Sequence, residues 1–352
     1  MGKTLRFGIV GAGVIAPTHA KAISGLPEAE LVAVADILPQ KAEKLAAAYG
    51  CTAYADVQQM LRREKLDVVE ICTPSGLHGA HACQAMRAGC HVIVEKPMEI
   101  TLASMDEMLR VQEETGRKLA VISQHRFDAA SQQLRALLDE QALGRLVLGN
   151  ATIPWWRSQA YYDSGAWRST WALDGGGILM NQSIHSIDLL QWFMGPVKSI
   201  RAYMDTLVHR MESEDVATAA LRFASGALGT ISATTGAYPG VTTRIEICGN
   251  QGSAILENDR MRYLHLARDE KEAAGDYGQA NHEIEADDQQ ASTASNPAAL
   301  SADTHALQIA DMLRAIREDG RPLVDGQAAR HPVEIILGVY ESARSGKEVV
   351  LS

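Results

Sequence analysis

Short apolar runs alternate with helix-length segments along the first third of the chain. The apolar runs predict strands at Leu5–Val10, Leu31–Ala35, near Thr52, at Val68–Cys72, His91–Glu95 and Leu119–Ser123. The segments between them have helix boundaries, because Asp56 can cap one helix and Gly50, Gly89 and Gly116 can end others. Strands that alternate with helices are typical of βαβ units, so this pattern predicts a doubly wound parallel sheet of the α/β class.

After Ser123 the pattern changes. One helix is predicted over Ser131–Gln141, and two more close the chain over His305–Glu318 and Pro332–Ser345. Strands without helices between them are predicted at Leu146–Ile153, Ile200–Thr206, Val216–Phe223, Leu228–Thr234, Arg244–Cys248 and Ser253–Leu256. Such a succession favours a large, mostly antiparallel open sheet. The polar residues from about Ala267 to Ser301 lack periodicity and predict a long surface loop or lid.

The change of pattern predicts two domains, residues 1–123 and 124–352. The length of 352 residues fits this division, because domains usually have about 100 to 200 residues. Hydrophobic residues make up 46% of the chain and charged residues 22%, which excludes collagen-like, coiled-coil and fully disordered proteins.

Charge and cysteine content exclude further classes. The formal net charge is -10 and no long basic run is present, so neither nucleic acid nor an anionic membrane is an expected partner. No apolar run approaches the roughly 18 residues of a membrane span, and the start lacks a signal-peptide core, so a soluble, cytoplasmic protein is expected. The five cysteines are scattered, which predicts neither a disulfide framework nor a metal site.

The first predicted strand ends in a glycine-rich turn, Gly11–Ala16, with the pattern G-x-G-x-x-A. Gly11 permits a tight turn, Gly13 lets a pyrophosphate approach the backbone, and Ala16 lets the following helix pack on the strand. Asp36 follows 20 residues after Ala16, where a carboxylate accepts hydrogen bonds from ribose hydroxyls and repels a 2′-phosphate. The turn therefore predicts an NAD site, with NAD favoured over NADP. A structural turn and a helix-capping acid are the alternative.

Two more predicted strands end in polar segments, Thr73–His78 and Glu95–Pro97. Because ligands of open parallel sheets bind outside the carboxyl ends of the strands, both segments are expected to converge with the glycine turn on one crevice. Beside a bound nicotinamide, Lys96 would have a lowered pKa and could polarise a substrate oxygen. A solvated lysine at the end of a strand is the alternative.

A third cluster follows three glycines, Gly175–Gly177. On an α-helix, Asn181, His185 and Asp188 would form a polar stripe at positions i, i+4 and i+7 of an otherwise apolar segment. The glycines would allow a ligand to approach the start of this helix, which favours His185 as a general base. A core histidine satisfied by Asp188 is the alternative.

A fourth cluster is aromatic and holds four of the five tryptophans. Its members are Trp155, Trp156, Arg157, Tyr161, Tyr162, Trp167, Arg168 and Trp171. Flat aromatic faces beside polar groups can stack on the C–H faces of a sugar while its hydroxyls are hydrogen-bonded. Core packing or a subunit interface explains several of these rings equally well, so one or two are expected to contact substrate.

These segments together resemble one known family. The matching stretches are GIVGAGVIAPTHA, TPSGLHGAHACQAMRAGCHVIVEKP, QHRF, WRSTWALDGGGILMNQSIHSIDLLQWFMG and ESARSGKEVVL. They are similar to the glucose-fructose oxidoreductase and inositol dehydrogenase (Gfo/Idh/MocA) family over nearly the whole chain. The resemblance implies an N-terminal Rossmann domain and a C-terminal α/β domain whose open sheet makes homodimer or homotetramer contacts. It also implies NAD(P)-dependent oxidation of a sugar or cyclitol hydroxyl, with Lys96 and His185 as the catalytic pair.

The resemblance also implies contact residues. The predicted cofactor contacts are Gly11, Gly13, Val14, Ile15, Asp36, Thr73, Pro74, Ser75, His78, Glu95, Lys96, Gln124 and Arg126. The predicted substrate contacts are Lys96, Tyr162, Trp167, Arg168, Asn181 and His185. Many inositol-dehydrogenase-like members have Asp where this chain has Asn181, which moves the expected substrate from cyclitols towards C3 of a hexoside or nucleotide sugar.

Three alternatives to a sugar dehydrogenase stay open on the sequence. The first is a cyclitol dehydrogenase. The second is an NAD-dependent glycosidase that oxidises its substrate transiently and returns the cofactor unchanged. The third is a non-catalytic NAD-binding regulator, which the presence of both Lys96 and His185 disfavours.

Overall fold

The computed structural model describes residues 3–267 and 302–351. These residues form two compact units. Unit 1 contains residues 3–124, 172–175 and 302–333, and unit 2 contains residues 125–171, 176–267 and 334–351. Unit 1 therefore includes two stretches that lie beyond the predicted boundary at residue 123. Apart from Ala267, the predicted loop from about Ala267 to Ser301 lies outside the described residues.

Unit 1 is built on a six-stranded sheet whose paired strands are all parallel. Its strands are β1 (Leu5–Val10), β2 (Ala29–Ala35), β3 (Thr52–Tyr54), β4 (Val68–Ile71), β5 (His91–Val94) and β6 (Leu119–Val121). Their order in the sheet is β3-β2-β1-β4-β5-β6. This order is that of a dinucleotide-binding sheet and confirms the predicted doubly wound fold. The carboxyl ends of β1, β2, β4 and β5 carry the polar segments predicted to bind ligand.

Three of the helices of unit 1 have an end that a predicted capping residue marks. The helices of this unit are α1 (Ala16–Ser24), α2 (Pro39–Tyr49), α3 (Val57–Arg63), α4 (His78–Arg87), α5 (Leu102–Thr115) and α9 (Ala302–Arg317). Asp56 caps α3, because its carboxylate accepts the Gln59 N–H at 2.7 Å. Gly50 and Gly116 end α2 and α5 with φ values of 68° and 64°, in the left-handed region that favours glycine.

Unit 2 is built on an eight-stranded sheet. Its strands are β7 (Leu146–Pro154), β8 (Val197–Asp205), β9 (Val216–Phe223), β10 (Leu228–Thr234), β11 (Arg244–Gly249), β12 (Gly252–Glu257), β13 (Arg260–Leu266) and β14 (Val349–Val350). They lie in the order β13-β12-β11-β7-β10-β9-β8-β14. All neighbouring pairs are antiparallel except β7 and β10, so the predicted mostly antiparallel sheet is confirmed. The sequence did not predict β13, whose residues are nearly all half-buried and show no alternation.

The helical segments of unit 2 lie beside this sheet. They are α6 (Ala129–Asp139), α7 (Gln159–Asp163), a π-helical turn (Ile178–Ser183) and α8 (Ile184–Met194), and α10 (Gly326–Ser345) starts in unit 1 and ends in unit 2. Helix α8 packs on β7 so closely that a side chain at Gly149 would lie 2.6 Å from Met194. The predicted start of the last helix at Pro332 is wrong, because Asp325 caps α10 earlier by accepting the Ala328 N–H at 2.9 Å.

None of the helices in the described ranges 3–267 and 302–351 is long and apolar enough to cross a membrane. All five cysteines are free thiols, which confirms that the chain has no disulfide framework.

Candidate active site

The glycine turn of unit 1 leaves open space above its second glycine. Gly11 has a φ of 94°, and a side chain there would lie 2.7 Å from the backbone of Cys72 at the end of β4. A side chain on Gly13 would meet nothing closer than the Cys72 carbonyl at 4.0 Å. Val14 is 89% exposed. The turn is therefore tight on the side of the sheet and open where a pyrophosphate would approach the start of α1.

The Asp36 carboxylate is held in place by two backbone donors. Its Oδ2 accepts the Ala12 N–H of the glycine turn at 2.7 Å, and its Oδ1 accepts the Leu38 N–H at 2.8 Å. The carboxylate therefore lies next to the glycine turn, where the sequence places a group that recognises ribose. Each of its oxygens keeps a second lone pair for a ribose hydroxyl.

His78 connects the two polar segments that follow β4 and β5. Its Nδ1 lies 2.7 Å from the Pro97 carbonyl and its Nε2 lies 2.9 Å from the Thr73 carbonyl. Burial lowers the pKa of His78, although the two carbonyls oppose this effect. Because Gly11 abuts Cys72, one residue before Thr73, the glycine turn and both segments converge at one edge of the sheet.

Two of the predicted cofactor contacts in unit 1 carry buried polar atoms that lack a partner within the described part of the chain. They are Thr73 Oγ1 and Gln124 Oε1. A buried polar group without a hydrogen bond costs about 1–3 kcal/mol, so such atoms point to a ligand that satisfies them. The open glycine turn, the Asp36 carboxylate and these two atoms all fit a dinucleotide.

Glu95, the residue before Lys96, belongs to a buried network of ionisable side chains that the sequence did not reveal. The Lys96 backbone N–H donates to Glu95 Oε2 at 3.0 Å, and Glu95 Oε1 accepts from His19 Nε2 at 2.7 Å. The other His19 nitrogen lies 2.5 Å from Glu70, and His305 lies 3.7 Å from Glu95. Burial would raise the pKa of Glu95, but His19 and His305 outweigh it and hold that pKa well below its usual range.

This network fixes the position of the Glu95 carboxylate, which directly precedes Lys96 in the chain. Glu95 was predicted to bind cofactor, and its two oxygens are engaged by His19 and by the Lys96 backbone. Its cofactor contact stays a prediction. No sequence signal connects His19 with His305, because they come from α1 and α9 at opposite ends of the chain.

In unit 2, other protein atoms fill the space beside Gly176 and Gly177. A side chain on Gly176 would overlap the Tyr340 hydroxyl, and one on Gly177 would overlap the backbone oxygen of Glu214. The expectation that these glycines leave room for a ligand is therefore wrong. They are small because a buried tyrosine and the backbone of Glu214 approach them closely.

Glu214 holds the start of the π-helical turn. Its carboxylate accepts the N–H groups of Gly177 at 2.9 Å and Leu179 at 3.0 Å, and the Tyr340 hydroxyl at 2.9 Å. Burial raises the pKa of Glu214 to about 7, although these hydrogen bonds oppose it. The sequence analysis did not identify Glu214, because its partners lie far away in the chain.

Asn181 and His185 do not lie on one continuous α-helix. Asn181 belongs to the π-helical turn, and α8 begins only at Ile184. The predicted spacing i, i+4 and i+7 on one α-helical face is therefore wrong. π-Helical turns are rare and occur frequently at functional sites, so this position is consistent with a role for Asn181.

Asp188 forms a buried bidentate ion pair with Arg126. The two carboxylate oxygens accept from Arg126 Nε at 2.7 Å and from Nη2 at 2.5 Å. Arg126 is only 2% exposed. The guanidinium is thus held by Asp188 in unit 2, and the predicted contact of Arg126 with the cofactor stays a prediction.

The imidazole of His185 packs edge to face on that of His125, with ring centroids 5.0 Å apart. His125 is flanked by Asp128 at 2.9 Å and by Asp259 at 3.1 Å. Burial would lower the pKa of His125, but Asp259 and Asp128 outweigh it and raise that pKa to about 10. A protonated His125 therefore lies beside the proposed base, and Asp259 comes from the turn before β13 that the sequence did not predict.

The aromatic cluster divides into core and surface members. Tyr162 is buried, and its hydroxyl lies 2.7 Å from Thr235 Oγ1. Its neighbour Tyr161 instead receives a hydrogen bond from Arg168 at 2.9 Å, and the Arg168 guanidinium also lies 4.9 Å from the Trp167 ring. Tyr161 therefore lies beside Arg168, and the predicted contact of the buried Tyr162 with the substrate stays a prediction. Successive residues of a helix point in different directions, and the sequence alone did not show which tyrosine faces inward.

Comparison with known proteins covers both units. The profile described as the oxidoreductase family, NAD-binding Rossmann fold (GFO_IDH_MocA), matches residues 5–123. The profile of the GFO/IDH/MocA C-terminal domain matches residues 131–255. The two matches together span more than half of the chain.

Individual relatives agree with these profiles. The chain is 32% identical to inositol 2-dehydrogenase from Rhizobium meliloti over 270 residues, which is 75% of this chain and 79% of the relative. It is 35% identical to D-glucoside 3-dehydrogenase from Escherichia coli over 56% of this chain and 57% of the relative. The structure of the WlbA dehydrogenase from Bordetella pertussis, in complex with NADH and UDP-GlcNAcA, superposes with a TM-score of 0.87 at 31% identity, covering 100% of this chain and 99% of that one.

Proposed function

Because the chain belongs to the GFO/IDH/MocA oxidoreductase family and matches its NAD-binding Rossmann domain, we propose that it oxidises a secondary hydroxyl of a pyranose-type sugar. The proposed position is C3 of a glycoside or nucleotide sugar. The observation that carries the proposal is the convergence, in unit 1, of the open glycine turn, the Asp36 carboxylate and the segment that holds Lys96. Asn181 in place of Asp and the similarity to D-glucoside 3-dehydrogenase support C3.

In this proposal three side chains act on the reacting hydroxyl. His185 accepts its proton, Lys96 stabilises the negative charge that develops on its oxygen, and Asn181 orients the substrate. When bound, NAD supplies the oxidant that accepts a hydride from the alcohol carbon. Gly13, Asp36 and the Thr73 hydroxyl, which has no partner among the described residues, would hold it in unit 1. The predicted contacts between copies of the chain through the unit 2 sheet stay a prediction.

A substrate screen tests the proposed activity. Purified protein with NAD is expected to produce NADH with methyl glycosides or nucleotide sugars, and to oxidise them more efficiently than free inositols. Reduction of the product with borodeuteride followed by NMR is expected to place the deuterium at C3. Preferential oxidation of inositols would contradict the sugar assignment. Cleavage of a glycoside without net NADH formation would indicate the NAD-dependent glycosidase instead.

We expect the cofactor preference to depend on Asp36. The wild type should use NAD much more efficiently than NADP, and Asp36→Ser combined with Ile37→Arg should shift the preference towards NADP by removing repulsion and adding a phosphate partner. Ile37 is 87% exposed, so an arginine there disturbs no packing. The ratio of kcat/KM values for the two cofactors is the measurement, with Ile37→Arg alone as the control. Equal wild-type efficiencies with both cofactors would refute the role of Asp36.

A further inference from the structure

Two guanidinium groups flank one tyrosine ring in unit 2. The Arg168 guanidinium lies 4.5 Å from the centre of the Tyr161 ring, and that of Arg157 lies 5.6 Å from it. Arg168 is also stacked near the Trp167 ring. Aromatic rings next to a guanidinium satisfy none of its N–H donors with a conventional acceptor, so these donors stay available for polar ligands.

The Arg168 guanidinium has more N–H donors than hydrogen bonds. Arg168 donates from Nε to Ser164 Oγ at 3.1 Å and from Nη1 to the Tyr161 hydroxyl at 2.9 Å. Because a guanidinium has five N–H donors, three of them have no acceptor among the residues that the structure describes. The Tyr161 oxygen accepts a second hydrogen bond from Gln182 Nε2 at 3.2 Å. With both lone pairs occupied, the Tyr161 hydroxyl can only donate, and no described residue accepts from it.

Among the described residues, no carboxylate balances the charge of Arg168. In residues 3–267 and 302–351 no carboxylate lies within ion-pair distance of Arg168, whose two side-chain partners are neutral hydroxyls. Burial lowers the pKa of Arg157, Tyr161 and Tyr162 oppose this effect, and the charge of Arg168 adds to it. An anion bound at the Arg168 edge would accept the remaining hydrogen bonds and offset this repulsion.

Gln182 connects the group to the proposed reaction site. It follows Asn181 directly in the π-helical turn, and its side-chain Oε1 is buried without a partner among the described residues. Gln182 is itself only 6% exposed. The Gln182 Oε1 acceptor can bind a hydroxyl group, and the donors of Arg168 and Tyr161 can bind anionic oxygens. A ligand with both kinds of group, such as an acidic sugar, would satisfy all of them.

We propose that Arg168 and Tyr161 donate hydrogen bonds to an anionic oxygen group of the sugar substrate, either a carboxylate or a phosphate. Gln182 Oε1 accepts a hydrogen bond from a hydroxyl group of the same substrate. The substrate is thus an acidic sugar derivative and not a neutral glycoside. This inference rests on the proposed function, because it places the anion beside the segment that contains Asn181 and leads to His185.

Three substrates that differ in charge test the inference. Methyl β-D-glucoside has no anionic group, methyl β-D-glucuronide adds one carboxylate, and UDP-glucose adds phosphates without a carboxylate. The wild type should oxidise at least one anionic compound with a kcat/KM at least about 10-fold above that of the neutral glycoside. The preferred compound identifies the anion as carboxylate or phosphate.

Substitutions at Arg168 and Tyr161 test whether the anionic group of the substrate binds there. Arg168→Gln should lower kcat/KM for the preferred anionic compound by about 10- to 100-fold, the size of a charge-assisted hydrogen bond, and lower it less for the neutral glycoside. Tyr161→Phe keeps the ring but removes the donor, so a smaller loss of the same selectivity is expected. Arg145→Gln removes the same charge from an exposed residue of unit 2 and should leave the selectivity unchanged. Melting curves check that each variant is folded.

The inference is overturned if the wild type does not prefer any anionic compound, or if Arg168→Gln lowers all three efficiencies equally. Failure of the proposed function gives a different result, namely no oxidation of any compound. In that case calorimetric titration of methyl β-D-glucuronide and UDP-glucose into the NAD-loaded protein decides the inference without turnover. Binding that Arg168→Gln weakens and Arg145→Gln does not would support the anion site, and equal binding by all three proteins would overturn it.

Discussion

Lys96→Ala is expected to lower the rate of sugar oxidation by about 10²- to 10³-fold, the loss seen when one donor to a developing oxyanion is removed. The ammonium stabilises charge that exists only in the transition state, so kcat should fall more than substrate affinity. NAD affinity should stay close to the wild-type value, because the proposed partner of the Lys96 side chain is the substrate oxygen. NADH formation measures the rate, and NAD titration measures the affinity.

Lys96→Ala keeps the backbone contact at this position. The Lys96 contact with Glu95 comes from the backbone N–H, which alanine retains. Lys96→Arg keeps the charge but changes its geometry, and it should restore only part of the activity. Near-normal turnover in Lys96→Ala would show that the lysine is structural. A parallel loss of NAD affinity would place it on the cofactor instead.

The sequence predicted the parallel sheet of unit 1 well, because its strand and helix signals had one structural interpretation. Alternating strands and helices require a parallel sheet, and Asp56, Gly50 and Gly116 mark helix ends by their own chemistry. The convergence of Thr73–His78 with Glu95–Pro97 also followed, because the carboxyl ends of neighbouring parallel strands meet at one edge.

Prediction from the sequence failed where one pattern had two physical explanations, and where the interacting residues lie far apart in the chain. The empty space beside Gly176 could hold a ligand or a protein atom, and Tyr340 fills it. The periodicity of a helix does not reveal the wider π-helical turn that contains Asn181. The neighbours of His185 were missed for the second reason, because Asp259 reaches His125 from a hairpin far along the chain.

His185→Ala is expected to lower the rate of alcohol oxidation by about 10²- to 10⁴-fold, the usual contribution of a general acid–base group. Wild-type activity should fall at acidic pH, because a protonated imidazole cannot accept the substrate proton. The pH profile of kcat/KM measures this acid limb. An unchanged acid limb in the residual activity of His185→Ala would show that another group is the base.

Charged groups near His185 determine the pH at which the acid limb of the profile lies. His125, whose pKa is raised to about 10, is protonated throughout the neutral range and faces the His185 ring at 5.0 Å. A positive charge at this distance disfavours a second one on His185, so it keeps the proposed base neutral down to lower pH. His125→Gln removes the charge and should move the acid limb to higher pH. Asn181→Asp should move it in the same direction by stabilising the protonated base.

Asp259→Asn tests the origin of this effect without replacing either imidazole. Asp128 still holds the proton on His125 in this variant, so the loss of the Asp259 charge should leave the acid limb at the wild-type pH or move it to lower pH. Asp188→Asn is unsuitable as a control, because it would leave the buried Arg126 charge without its ion-pair partner and destabilise the fold. Asp163→Asn, an exposed acid of the same unit, is the matched control and should leave the limb in place. If the limb of His125→Gln coincides with that of the wild type, His125 has no influence on the proposed base.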